Sequence, residues 1–157
     1  MNRITGLFAK RQFNIESITV GASEQPGISK MTFIVHIEEE AKLEQLTKQL
    51  QKQIDVLKVS DITDKSIVLR ELALVKVLCP PSVRGEVYSI IQPFRATVID
   101  MGRNNITVQV TGEPQKVDAF LDLLKPYGIK DISRTGVTAF VRENQHAELS
   151  QVSILQL

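Results

Sequence analysis

LALVKVL, residues Leu72–Leu78, opens the stretch that decides the fold, and its apolar, β-branched character reads as a strand. Pro80-Pro81-Ser82 then leads into a helix whose apolar face is Val83, Val87, Ile90, Ile91 and Phe94, with Ser82 placed to cap it. Ala96–Met101 reads as a strand, Gly102–Asn104 as a turn, and Ile106–Thr111 as the hairpin partner. After Pro114, the spacing of Val117, Phe120, Leu121 and Leu124 predicts an amphipathic helix. Gly128–Ser133 and Val137–Arg142 are extended. The resulting order, strand–helix–strand–strand–helix–strand, is ferredoxin-like.

Working outward, the residues before this stretch read almost the same way. Ile4, Leu7 and Phe8 share one helical face, Asn14–Ala22 is a strand, and Gln25-Pro26-Gly27 is a turn. Met31, Phe33, Val35 and Ile37 alternate with other residues as in a half-buried strand; Leu43, Leu46 and Leu50 mark a helix; Val56–Thr63 reads as the next strand. An offset of about 73 residues carries FIVHI (Phe33–Ile37) onto ITVQV (Ile106–Val110) and VLKV (Val56–Val59) onto IKDI (Ile129–Ile132). The same offset carries Leu46 and Leu50 onto Ala119 and Leu123, which points to a duplicated unit. The first copy lacks an opening strand. The expected fold is therefore α+β: two tandem ferredoxin-like units over residues 1–66 and 67–142, followed by a loosely held tail over residues 143–157.

Two helices cover one face of a four-stranded sheet, so the other face is wet or meets a second layer. If Phe33 and Val35 point at the helices, Ile34 points away. Burying such an aliphatic side chain is worth roughly 1.5–3 kcal/mol, which favours dimerisation or packing between the units.

Composition removes several function classes. The net charge is +1, which gives no basic face for nucleic acid, and the chain has six Phe, two Tyr and no Trp. RNA binding on such a sheet needs aromatic residues on the central strands, and Leu72–Val77 and Ile106–Val110 carry none. No apolar run approaches the roughly 20 residues needed to span a bilayer, and MNRITGLFAKR is not a signal peptide, so a cytoplasmic location is expected. Cys79 is the single cysteine and reads as a small apolar residue at a strand end. No nucleophile–base pair, phosphate loop or metal-ligand spacing is present, with His36 and His146 the only histidines. Asp100 and Asp118 read as solvated or capping carboxylates, Glu38-Glu39-Glu40 as acidic residues at a helix start, and Arg134-Thr135-Gly136 as a strand bend. No catalytic residue and no metal ligand is expected.

NRITGLFAKRQFNIESITVG (Asn2–Gly21), QLTKQLQKQIDVLKVSDIT (Gln45–Thr63), RELALVKV (Arg70–Val77), FRATVIDM (Phe94–Met101), VQVTGEPQKVDAFLDLLKPYGI (Val108–Ile129) and SRTGVTAF (Ser133–Phe140) together cover most of the chain. In combination they resemble the small regulatory subunits of acetolactate synthase (acetohydroxyacid synthase), an ACT-domain family, with a Bacillus-like character. The resemblance implies an N-terminal ACT domain lacking its first strand and a second ferredoxin-like half. It implies a homodimer through ACT domains that activates a large catalytic subunit and mediates feedback inhibition by valine or a related branched-chain amino acid. It places thiamine diphosphate, Mg and FAD in that partner and none in this chain. By the same resemblance, Asn14 and Ile15 close an effector site at the dimer seam, where the Asn carboxamide can bond a carboxylate and an ammonium together. Family members carry a strand and an Asn-x-x-Gly-Val-Leu loop ahead of the position of Met1. Without them the first unit is expected to have unpaired ladder groups, at about 1–3 kcal/mol for each buried group, and to bind valine poorly.

Overall fold

A computed structural model describes residues 4, 6–8, 13–36, 39–143 and 153–156. It divides into two compact units: Leu69–Gly136 is one, and residues 1–68 together with 137–157 form the other.

The second unit keeps the expected order. Strand β4 (Ile67–Leu78) runs into it, followed by helix α2 (Arg84–Ile91), β5 (Thr97–Met101), β6 (Asn105–Gly112), helix α3 (Pro114–Leu124) and β7 (Ile129–Arg134). The antiparallel strands lie in the order β5-β6-β4-β7. Period-two alternation puts Ala73, Val75, Val77, Ile106, Val108 and Val110 on one face, each almost fully buried. Val87 and Ile91 of α2 and Val117, Phe120 and Leu124 of α3 close over them. Phe94 packs on Phe120 at 5.2 Å between ring centroids. Cys79 lies just past β4, fully buried, its N–H donated to Asn104 O at 2.7 Å. Ser82 does not cap α2: the residue before the helix is Val83, and no side chain caps it. The chain instead enters through a turn in which Val83 N–H donates to Pro80 O.

In the first unit, Ile4 and residues 6–8 are helical. They precede β1 (Asn14–Ala22), β2 (Ser29–His36), helix α1 (Glu40–Gln51) and β3 (Ser60–Asp61). The expected strand over Val56–Thr63 shrinks to those two residues, because Asp61 turns the chain by accepting from Thr63 N–H and Oγ1. Phe8 stacks on Phe33 at 4.9 Å, and Val35, Leu46 and Leu50 complete the core. Ile37 and Glu38 lie outside the described residues.

The structure differs from three expectations here. The end of the chain is not merely a loose tail: Ser153–Gln156 forms β9, which pairs antiparallel with β2 on one side and β3 on the other. The sheet order β1-β2-β9-β3 puts β9 in the centre, where a ferredoxin-like unit has its opening strand. Its Leu155 is fully buried, so β9 joins the core and pairs with both of its neighbours.

Compactness draws the line after Gly136, where the expected bound was residue 142. Val137–Val141 belongs to the first unit and covers the second face of its sheet. Thr19 Oγ1 donates to Val137 O at 2.8 Å, and Val137 N–H donates to Ser17 Oγ at 2.9 Å. Gln156 Nε2 donates to Ala139 O at 2.5 Å, and Lys30 Nζ lies 4.1 Å from the Phe140 ring centroid. Thr32 and Ile34, the residues that alternate with the core-facing Phe33 and Val35, are buried as well. β8 (Thr138–Val141) pairs with β4, and Arg142 N–H donates to Ser66 O just before that strand begins.

Finally, the offset of 73 holds for Phe33 and Val35, which map onto the equally buried Ile106 and Val108, but not for Val56–Val59, which is not a strand, nor for the helices. Leu46 and Leu50 are buried, whereas Leu123 is 48% exposed. The buried counterparts are Phe120 and Leu124, one residue further on.

Candidate functional site

Asn14 opens β1, and three local features set its position. Phe13, just before it, meets Phe8 edge-on at 6.4 Å between centroids, and Phe13 N–H donates to Phe8 O. Asn14 lies opposite His36 in the β1–β2 register. Both are exposed. The register slips between Ile15 and Ser17, a bulge that turns the chain after Ile15. Ile15 lies opposite Val35 and packs against the first core. The two residues therefore divide the work. Asn14 presents a carboxamide, donor and acceptor together, to solvent. The Ile15 side chain anchors the strand that carries it.

Among the described residues, β1 is an outer strand of its sheet, nine residues long and paired with β2 alone. Its free side offers ladder N–H and C=O groups to another chain. An exposed amide at the end of such an edge can recognise a zwitterion.

The second unit holds an ionic cluster that the sequence reading leaves apart. Glu71 is only 5% exposed, on the same face as Ala73, Val75 and Val77. Arg134 donates to it through Nη2 and Nε, and through Nη1 to Asp118 at 2.6 Å. The hydrogen bond to Glu71 is the main reason that the Arg134 guanidinium holds its proton still more firmly than usual. Asp118 is thus an ion-pair partner and not a free or capping carboxylate. The signal was available: an acid at a core-facing position of β4 demands a cation. Arg134-Thr135-Gly136 is a bend, as read. Thr135 N–H donates to Leu72 O, Leu72 N–H donates to Thr135 Oγ1, and Gly136 takes φ +81°. Gly is suited to that left-handed conformation. The bend is where the chain leaves the second unit.

Among the described residues, no group of three or more His, Cys, Asp or Glu could hold a metal ion. No helix among them is long and apolar enough to cross a membrane. His146 lies outside the described residues.

Comparison with known proteins covers both units. Residues 1–58 match the AHAS small subunit-like ACT domain, and residues 70–143 match the small subunit of acetolactate synthase. The chain is 62% identical to the acetolactate synthase small subunit of Bacillus subtilis over 98% of its own length and 90% of that protein. It is 46% identical to a probable acetolactate synthase small subunit of Archaeoglobus fulgidus, covering 91% of this chain and 89% of that one. The crystal structure of the acetolactate synthase small subunit from Thermotoga maritima superposes with a TM-score of 0.84 at 38% identity, covering 92% of this chain and 89% of that one. The chain belongs to the acetolactate synthase small subunits, the regulatory and non-catalytic partners in branched-chain amino-acid biosynthesis.

Proposed function

We propose that this chain binds the large, thiamine-diphosphate-dependent subunit of acetolactate synthase in the cytoplasm, activates it, and mediates its feedback inhibition by valine. The observation that carries this reading is the exposed Asn14 at the head of the unpaired edge of β1. Two copies pair through that edge, and Asn14 of each faces a branched-chain amino acid at the seam. The carboxamide binds the carboxylate and the ammonium of the effector. Ile15 holds the strand in place through the core beneath it.

This chain supplies binding free energy and no bond chemistry. Thiamine diphosphate, Mg and FAD belong to the large subunit. An effector shifts activity only by its different affinity for two states of the holoenzyme.

The test is reconstitution. Purified large subunit is assayed for acetolactate formation with and without this chain, across a valine titration. Stimulation by the chain, reversed by valine, supports the reading. Unchanged activity with the chain present in excess refutes it.

A further inference from the structure

Arg95 is held in a conformation that its surroundings do not explain. It takes φ 52°, the single positive φ of a non-glycine residue among those described. Its N–H donates to Gln92 O, and Ala96 N–H donates to Ile91 O, the pair of bonds that closes α2 through a left-handed residue. Glycine fills such a position without steric cost, and an arginine there is strained. Nothing local offsets the strain. The Arg95 side chain is exposed, and among the described residues it has no hydrogen-bond or ion-pair partner. Strain retained without local compensation points to a residue that binds something else.

Its surroundings narrow the occupant. Arg95 stands just ahead of β5, which among the described residues is an outer strand paired with β6 alone. Ile99 and Met101 on that strand are 49% and 50% exposed. Arg103, in the turn that follows, is also exposed and also without a described side-chain partner. Arg84 pins that turn: its Nη2 donates to Gly102 O at 3.4 Å and to Arg103 O at 3.0 Å. Both ends of β5 are therefore fixed, and each carries a free guanidinium. The whole surface lies within Leu69–Gly136.

We infer that β5 is a docking edge for the large catalytic subunit, which adds an extended segment with apolar residues at its centre and a carboxylate at each end. The inference rests on the function proposed above. Ladder hydrogen bonds to β5 give affinity, and the two guanidinium forks, which match carboxylates, give selectivity. Asp100, exposed on the strand, opposes a carboxylate at the centre. A second copy of this chain is the wrong occupant: antiparallel pairing about Ile99 sets Arg95 against Arg103 of the other copy, cation on cation. Nucleic acid would need exposed aromatic rings beside the arginines, and Phe94 is instead packed on Phe120.

The test measures binding of the full chain to purified large subunit, with Arg95→Gly, Arg103→Ser and, as a control on the opposite outer strand β7, Lys130→Gln. Arg95→Gly is expected to melt no lower than the parent, since glycine relieves the strain. Arg95→Gly and Arg103→Ser are each expected to weaken binding by about tenfold or more, and Lys130→Gln to bind as the parent does. In the parent complex, amides of Thr97–Met101 are expected to exchange about tenfold or more slowly than in the free chain. Unchanged binding by either arginine variant, no slowing along β5, or an Arg95→Gly chain that melts lower overturns the inference and leaves the proposed function standing. A parent chain that binds no large subunit overturns both.

Discussion

Arg134 grips Glu71 from the neighbouring strand through two nitrogens, and Glu71 is the single described charged residue sealed inside either unit. The two ends of this pair are not equivalent. The Glu71 side chain is 3% exposed and that of Arg134 is 34% exposed. Arg134→Ala strands a carboxylate in the interior, which costs about 3–5 kcal/mol. Glu71→Ala leaves a guanidinium that keeps Asp118 and reaches water, so the loss is smaller, about 1–3 kcal/mol. Denaturant unfolding of the two variants is expected to rank them in that order, and equal losses would refute the account.

Tyr127 gives the second unit an alkaline sensitivity. Partial burial, and then its hydrogen bond to Glu86 at 3.1 Å, raise the phenol above its usual value of 10.0. The folded state thus favours the protonated form. Its contribution is complete below the unfolded value and is lost as pH rises through the higher folded one. Stability is expected to fall faster above pH 10 in the parent chain than in Tyr127→Phe. Thermal melts of the pair at matched pH check this.

Ser17 and Thr19 clamp the covering strand at Val137, and Val137 is 4% exposed. Ser17→Ala removes the acceptor for a buried N–H, at about 1–3 kcal/mol. Hydrogen exchange at Val137 is expected to quicken roughly tenfold, since a factor of ten corresponds to about 1.4 kcal/mol. Leu69–Gly136 is expected to keep its protection.

Asn14→Ala separates sensing from folding. The side chain is exposed, so stability is expected to change by no more than about 0.5 kcal/mol. Under the proposed function, the variant still stimulates the large subunit while half-inhibition needs at least tenfold more valine. An unchanged valine titration would remove Asn14 from the effector site.

The second unit was readable because its signals are local. Alternation along Leu72–Leu78 and the spacing of Val117, Phe120, Leu121 and Leu124 each predict their own neighbourhood, and the structure keeps both elements. Asn14–Ala22 was readable for the same reason. What escaped were pairings between distant positions. Nothing local in Ser153–Gln156 says that it lies between β2 and β3, and nothing in Val137 names Ser17 or Thr19. A short apolar run is compatible with many partners, and only three-dimensional competition selects one. The Asn14 and Ile15 site was reached through family likeness, because a single exposed Asn at a strand start carries no signature of its own.

The first unit is discontinuous: it is built from residues 1–68 and 137–157, with Leu69–Gly136 between them. On the ribosome, residues 1–68 emerge before β9, the strand that pairs with β2 and β3 in this structure. At about 5–20 residues per second, that strand follows on the order of ten seconds later. Throughout this interval the pairs that β9 makes with β2 and β3 are unmade, while Leu69–Gly136 can already fold. The order of synthesis thus leaves the first unit to close last.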